Sequence, residues 1–293
     1  MSISRQNLSI IIVTYKSEMV IHDCIKSIEK DMKIIVVENS DNSQFKEELE
    51  STYKNVSCVL TSQNLGMGAG NNIGIKKAKT DFVLILNPDV ILDESTINEL
   101  IVASRKITNF AILAPISTDT NHPNYRLLKN KKTWTKDETL FKVKSVDGFA
   151  MLFNKKKLDK VITNNYFDEN FFMYLENDDL CKRITENRGD IFVTPKAKIN
   201  HLGAKAVNEK YRDEVEFSRN WHWMWSKFYF NKKHYGLSRA LIEGLPQFLL
   251  SALRLLFFKI TKNKNKQKIY FNRASGFFNA LIGKPSWYRP KLD

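Results

Sequence analysis

Short apolar runs alternate with amphipathic stretches through the first half of the chain. Ile10-Ile11-Ile12-Val13 is a continuous apolar run with polar flanks, the pattern of a strand buried on both faces. Residues 19–30 follow, with Val20, Ile21, Cys24, Ile25 and Ile28 at helical spacing. The alternation continues with strands over 34–37, 56–60, 82–86 and 112–115. Helices are predicted over 47–53, over 71–79 where glycines open the segment, and over 94–106 with Asp93 or Ser95 as cap. A mostly parallel sheet covered by helices, an α/β nucleotide-binding half, is the expected result.

The second half is less regular. Residues 118–144 are polar and basic, with Pro123 and the run from Lys129 to Lys132, and read as a loop or hairpin over a site. Residues 146–153 read as a strand in which Gly148 allows close backbone approach. A helix is expected over 178–186, strands over 191–194 and 197–200, and His201 just beyond. From residue 209 the pattern turns helical, with Trp221, Trp223, Trp225, Phe228, Tyr229 and Phe230 crowded together. The expected division is a catalytic domain over 1–205 and a basic, aromatic-rich helical extension over 206–293.

Composition narrows the class. With 43% apolar and 12% aromatic residues in a chain of 293, the protein has enough to bury for a folded core. Cys24, Cys58 and Cys181 match neither a disulfide ladder nor a zinc pattern, so reduced, packed thiols are expected. The first strand begins almost at once, without the features of a signal peptide, and the expected setting is cytoplasmic. The net charge of +14 is concentrated at the end: from residue 232, thirteen Lys or Arg face two acids, Glu243 and Asp293. The apolar run 248–258 beside Lys262, Lys264 and Lys266 favours an anionic lipid surface over nucleic acid as the partner. A helix starting after Pro246 would carry Gln247, Ser251 and Arg254 as a narrow polar stripe on an otherwise greasy surface. Peripheral binding at the inner face of the cytoplasmic membrane is the expectation, with packing onto the catalytic domain and a true span as alternatives.

Candidate chemistry clusters where open α/β sheets place their ligands, at the carboxyl ends of strands. Thr14 and Tyr15 leave the first strand there, and Glu38 and Asn39 the second; a base or ribose would suit them, and so would an ordinary turn. Gly66, Gly68, Gly70 and Gly74 surround Asn71 and Asn72 and could let a backbone approach a diphosphate or sugar. Their spacing fits neither the dinucleotide fingerprint nor a P-loop. Asp89, directly after the apolar strand Phe82–Leu86, is either a turn residue or an oxygen ligand for Mg²⁺ or Mn²⁺ bridging a diphosphate. His201 could add a nitrogen ligand, tilting the choice towards manganese. Glu176-Asn177-Asp178-Asp179 opens a helix, where acids complement the dipole or take a proton.

In order, the chain carries Val13-Thr14-Tyr15-Lys16-Ser17, Val36-Val37-Glu38-Asn39-Ser40, Asn64-Leu65-Gly66-Met67-Gly68-Ala69-Gly70-Asn71-Asn72, Leu86-Asn87-Pro88-Asp89, Asp147-Gly148-Phe149-Ala150-Met151 and Phe167 to Cys181. This set resembles the family 2 glycosyltransferases of the bacterial rhamnosyltransferase-like group, over roughly residues 8 to 205. The resemblance implies a GT-A-type, Rossmann-like mixed sheet flanked by helices, and inverting sugar transfer from a dTDP or UDP donor, rhamnose first. It also implies a lipid-linked saccharide or growing surface polysaccharide as acceptor, and a C-terminal helical extension that associates with an anionic membrane. Carried over by position, Thr14, Tyr15, Glu38, Asn39, Asn64, Gly66, Gly70, Asn71 and Asn87 would line the donor site. Asp89 and His201 would hold Mg²⁺ or Mn²⁺. Asn87 stands where the family's motif has its first acid, and Asn177 where many relatives have a carboxylate. The implied base is therefore Glu176, then Asp179, then Asp178. The rival class, a catalytically weak nucleotide-sugar or lipid-binding module, predicts donor binding without turnover. A nucleotidyltransferase lacks its triphosphate cradle here.

Overall fold

The structure, a computed structural model, describes residues 3–107, 109–129, 138–163, 165–203, 208–290 and 292. Most of the run from Lys129 to Lys132, the expected domain cut at 205/206, and Lys291 and Asp293 of the charged tail lie outside them. The chain divides into two compact units, Met1–Asp168 with Asn177–Val207, and Glu169–Glu176 with Asn208–Asp293.

The first unit is a mixed sheet in the order β3-β2-β1-β4-β9-β6-β10-β8-β7, with β5 paired to β10. Its parallel part holds β1 (Leu8–Thr14), β2 (Lys33–Glu38), β3 (Val56–Leu60) and β4 (Phe82–Leu86). β4 is apolar along its whole length because alternate side chains enter different cores. In β4, Phe82, Leu84 and Leu86 join Ile10 and Ile12 on one face, while Val83 and Ile85 join Ile11 on the other. Helices α1 (Glu18–Lys26), α2 (Ser43–Thr52), α3 (Met67–Lys77) and α4 (Thr96–Lys106) follow successive strands. Cys24, Cys58 and Cys181 are free and buried, and burial pushes the Cys24 and Cys181 thiols up to about 12.

β5 (Val90–Leu92) precedes α4, and beyond that helix come β6 (Phe110–Ser117), β7 (Tyr125–Leu127), β8 (Phe141–Val146) and β9 (Ala150–Asn154). The expected single strand over 146–153 is thus two strands with a turn at 147–149; β8 pairs with β7 and β10, whereas β9 runs between β4 and β6. Within the region expected as a loop or hairpin, β7 and β8 pair antiparallel. After α5 (Lys155–Val161) and α6 (Glu176–Glu186), the two strands expected over 191–200 are one, β10 (Asp190–His201). Its register against β6 shifts between Thr194 and Lys198, around Pro195, which has no N–H for the ladder.

The second unit is built on α7 (Arg212–Ile260) and α8 (Lys264–Leu281). Trp221, Met224, Trp225, Phe228, Ala240, Phe277 and Ala280 form its core. Small residues bring the helices together: a Cβ at Gly276 would lie 2.1 Å from the Trp221 carbonyl oxygen, and one at Gly244 2.4 Å from the Phe277 ring. No helix starts at Pro246, which lies inside α7; the break is upstream at Gly236, whose φ of 85° and ψ of 170° suit glycine. Of the expected polar stripe only Ser251 is buried; Gln247 is half-buried and Arg254 exposed. Ser251 is buried and donates to the Gln247 carbonyl at 2.7 Å, and Arg254 donates to the Tyr270 hydroxyl at 3.1 Å. Leu249, Leu253, Leu256, Phe257 and Ile260 are exposed. The helical stretch Glu209–Ile260 contains a window long and apolar enough to cross a bilayer, of which 11% is buried.

Candidate active site

Parallel pairing of β1 with β2 sets Thr14 opposite Glu38 at their carboxyl ends. The Thr14 hydroxyl donates to one oxygen of the buried Glu38 carboxylate at 2.5 Å, and the Ser40 hydroxyl donates to the other at 2.5 Å. Burial pushes the Glu38 carboxyl up, and the Ser40 and Thr14 hydroxyls pull it partly back. Both oxygens being held, Glu38 has a fixed orientation at the end of the sheet. Tyr15 is half-buried beside it, and Lys16, with φ of 54°, turns the chain sharply into α1.

The glycine-rich segment behaves differently from the loop expected of it. Gly68, Gly70 and Gly74 lie inside α3, and their smallness serves packing. A Cβ on Gly70 would lie 2.7 Å from Val13 Cγ1 and 3.3 Å from Asn39 Nδ2, and one on Gly74 2.4 Å from Ile11 Cγ2. The loop proper is shorter and is held by amides. Asn39 donates to the Gly66 carbonyl at 3.0 Å and accepts from the Thr61 hydroxyl at 3.2 Å, and Asn64 accepts from the Gly66 amide at 3.0 Å. Asn72 makes a two-way bond with the backbone of Phe167, at 2.9 and 3.0 Å. Its neighbour Asn71 is buried, and its Oδ1 accepts no hydrogen bond.

β4 delivers Asn87-Pro88-Asp89 to the same edge. The Asn87 amide donates to the Phe149 carbonyl at 2.9 Å, the Val90 amide to the Asn87 carbonyl at 3.2 Å, and the Leu202 amide to the Asp89 carbonyl at 3.0 Å. Antiparallel pairing of β5 with β10 sets Val90 against His201, bringing Asp89 and His201 together across a long stretch of sequence. His201 Nε2 stands 3.4 Å from Asp89 Oδ1, and the imidazole stacks on Phe149 with centroids 4.1 Å apart. Asp89 is 2% exposed, yet its Oδ1 accepts no hydrogen bond. A buried, orphaned carboxylate oxygen facing an imidazole nitrogen suits a divalent cation. Among the described residues no three His, Cys, Asp or Glu side chains cluster to hold a metal, so these two donors would need phosphate oxygens and water to complete a shell.

The start of α6 supplies the acids. Asn177 donates to the Val146 carbonyl at 3.0 Å, anchoring the helix. Asp178 pairs with Arg126 of β7; burial pushes its carboxyl up, and Arg126 opposes this. Asp179 is fully buried and pairs with Arg183 at 2.8 Å, and Arg183 also donates to the Tyr166 carbonyl. Glu176 is 5% exposed and is the last residue of the segment grouped with the second unit. Tyr174 and Leu175 before it have φ of 69° and 67°. Two successive non-glycine residues in the left-handed region cost about 1–3 kcal/mol each, strain that collects at functional sites. Two residues outside the candidate set belong with this edge: Arg126 and Asp147. The Asp147-Gly148 pair was the one signal of the second; nothing in the sequence near Arg126 marks it.

Residues 9–162 match the family model described as Glycosyl transferase family 2. Low-salt glycan biosynthesis hexosyltransferase Agl10 of Haloferax volcanii is 28% identical over 198 residues, covering 60% of this chain and 61% of the relative. The chain thus spans under two thirds of that relative. Rhamnosyltransferase WbbL of Escherichia coli K12 is 26% identical over 202 residues, covering 60% of this chain and 76% of the relative. Among solved structures, GalNAc-T7 with UDP, GalNAc and Mn²⁺ superposes with a TM-score of 0.54 at 15% identity, over 73% of this chain and 50% of that one. S. aureus TarS superposes with a TM-score of 0.50 at 14% identity, over 90% of this chain and 55% of that one. These likenesses establish the GT-A-type fold.

Proposed function

The chain belongs to glycosyl transferase family 2, and on that premise we propose that it is an inverting glycosyltransferase. It moves a sugar, rhamnose first, from a dTDP or UDP donor to a lipid-linked saccharide or growing surface polysaccharide. The observation that carries this reading is the buried Asp89 Oδ1, without a hydrogen bond, beside His201 at the carboxyl edge of the sheet. Likeness to a rhamnosyltransferase and a hexosyltransferase supports the sugar class.

Asp89 and His201 would hold Mg²⁺ or Mn²⁺, which when bound neutralises charge developing on a leaving diphosphate. Tyr15 and the Thr14–Glu38 pair receive the nucleoside, and Asn71 and the loop at Asn64 and Gly66 border the donor. Glu176 accepts the proton of the acceptor hydroxyl as its oxygen bonds to the anomeric carbon. The bond from that carbon to the diphosphate breaks, and its electron pair leaves with the nucleoside diphosphate. Asp178 and Asp179 are held by Arg126 and Arg183, and the family resemblance puts Glu176 first as the base. The enzyme works at the inner face of the cytoplasmic membrane, held by the outward leucines of α7 and the adjoining lysines, an arrangement that suits an anionic surface.

The test is nucleoside diphosphate release from dTDP, UDP and GDP sugars with Mg²⁺ or Mn²⁺, with and without a lipid-linked saccharide extract. Acceptor-dependent release from one donor, lost in Asp89→Ala with the fold intact, is expected. Donor binding without release under any condition would overturn the transferase reading, and full turnover in Asp89→Ala would overturn the metal assignment.

A further inference from the structure

Asp147 occupies a turn clamped on every side. Its amide donates to the Asn124 carbonyl at 2.9 Å. A Cβ on the next residue, Gly148, would lie 2.9 Å from Met67 Cε and 3.3 Å from Asn177 Cβ, so the backbone there packs against the starts of both α3 and α6. Phe149 ties the turn to the Asp89 site twice, through its carbonyl on the Asn87 amide and its ring on His201. The side chain of Asp147 is treated very differently. Half-buried, it accepts no hydrogen bond and forms no ion pair among the described residues. The cations that act on it, Arg126 and His201, are engaged elsewhere: Arg126 with Asp178, His201 beside Asp89. Burial pushes its carboxyl up.

A half-buried carboxylate that no donor among the described residues engages keeps its acceptor oxygens available for donors that a ligand brings. Phosphate would be repelled by it. A third metal-ligand role is not supported, since no cluster of three such donors exists among the described residues. Neutral hydroxyls fit: a carboxylate has two oxygens and takes two neighbouring O–H donors at once. The turn that carries Asp147 borders the diphosphate site through Phe149, which is where the transferred sugar emerges from its phosphate.

We propose that Asp147 reads the donor sugar, accepting hydrogen bonds from two adjacent hydroxyls of the hexose and so setting which sugar is transferred. This rests on the transferase reading above.

The test uses the full chain and the variants Asp147→Asn and Asp147→Ala, titrated with UDP, dTDP, dTDP-rhamnose, UDP-glucose and UDP-N-acetylglucosamine. Nucleoside diphosphate affinity should stay within about threefold of the parent, while affinity and KM for the preferred nucleotide sugar weaken about 10- to 100-fold, as expected for losing charge-assisted hydrogen bonds. A donor lacking one of the hydroxyls read by Asp147 should be disfavoured by the parent about 10-fold or more, and hardly at all by the variants. Thermal stability of Asp147→Asn should equal or exceed that of the parent, because an unpartnered carboxylate has been removed; a structural role would lower it. Unchanged donor KM, or equal weakening of UDP and UDP-sugar binding, would overturn the assignment while leaving the transferase reading intact. A parent protein that binds nucleoside diphosphates but no nucleotide sugar would overturn both.

Discussion

His222 predicts an acid sensitivity that can be calculated. The ring is fully buried in the second unit, 4.7 Å from Phe172 and 4.9 Å from Trp221 by centroids. Nε2 lies 2.8 Å from the Tyr288 carbonyl oxygen, which can only accept, so Nε2 carries the proton. Nδ1, 2.9 Å from the Ser286 hydroxyl, then accepts. The imidazole is neutral with both nitrogens used, and burial lowers its pKa from 6.5 to about 3, with the nearby Arg289 adding to the effect. The folded state therefore binds fewer protons than the unfolded chain between those values. Stability is complete above 6.5 and falls as pH drops below it. At pH about 5, some 1.5 units below the unfolded value, the loss is about 2 kcal/mol at about 1.4 kcal/mol per unit. Trp221, Trp223, Trp225 and Trp287, four of the five tryptophans, lie in this unit, so fluorescence-monitored denaturation reports on it. The parent should lose about 2 kcal/mol between pH about 7.5 and about 5, and His222→Gln, which cannot titrate, should lose little of it. The variant's own stability at neutral pH does not enter, because only the difference between the two pH values is compared. Equal losses in both proteins would refute the argument.

Three further outcomes are expected. Glu176→Gln should lower turnover about 100-fold or more with a normal melting profile, whereas Asp179→Asn should lower stability by about 1–3 kcal/mol, having removed the carboxylate that the half-buried Arg183 pairs with; denaturation and product release on both variants separate the two roles. Gly74→Ala should destabilise by about 1–3 kcal/mol, read by chemical denaturation, because its Cβ must displace Ile11 from its place under α3. Flotation with anionic liposomes at low salt should carry the protein upward, and Leu253→Glu with Leu256→Glu should leave it at the bottom without loss of helix signal.

How much of this could be read in advance depended on whether the deciding contacts were local. β4 was legible to its last residue because a strand buried on both faces is written as an unbroken apolar run, Phe82 to Leu86. The end of that strand also marked Asp89. Glycines misled, since Gly68 and Gly70 look like residues of a loop before the helix and instead lie inside α3, where Gly70 and Gly74 let it lie close against Val13 and Ile11, whose positions are fixed by the sheet. The turn at 147–149 was hidden for a similar reason: both flanks read as strand, and only packing against Met67 and Asn177 requires the chain to turn there. On α7 the apolar pattern was legible but the helix start was not: the chain runs helically through Pro246, and the break falls at Gly236, while the side that α8 takes is set by Gly244, Gly276 and the tryptophans.

Partnership sorts the candidates that residue type left equal. Asn39, Asn64 and Asn177 have the chemistry to bind a donor, but each amide spends one end on backbone, which fixes its orientation. Asp179 is engaged by Arg183 in the same way. Asp89 Oδ1 and Asn71 Oδ1 are buried without a hydrogen bond, and Asp147 has its carboxylate unpartnered among the described residues. Burying the first two costs about 1–3 kcal/mol apiece. The rest of the fold carries that cost, and a bound donor would recover it. The pairing of β5 with β10 that sets Val90 against His201 brings the imidazole to Asp89, and on the proposed reading a strand as short as Val90–Leu92 thereby holds open an arrangement that a bound donor would complete.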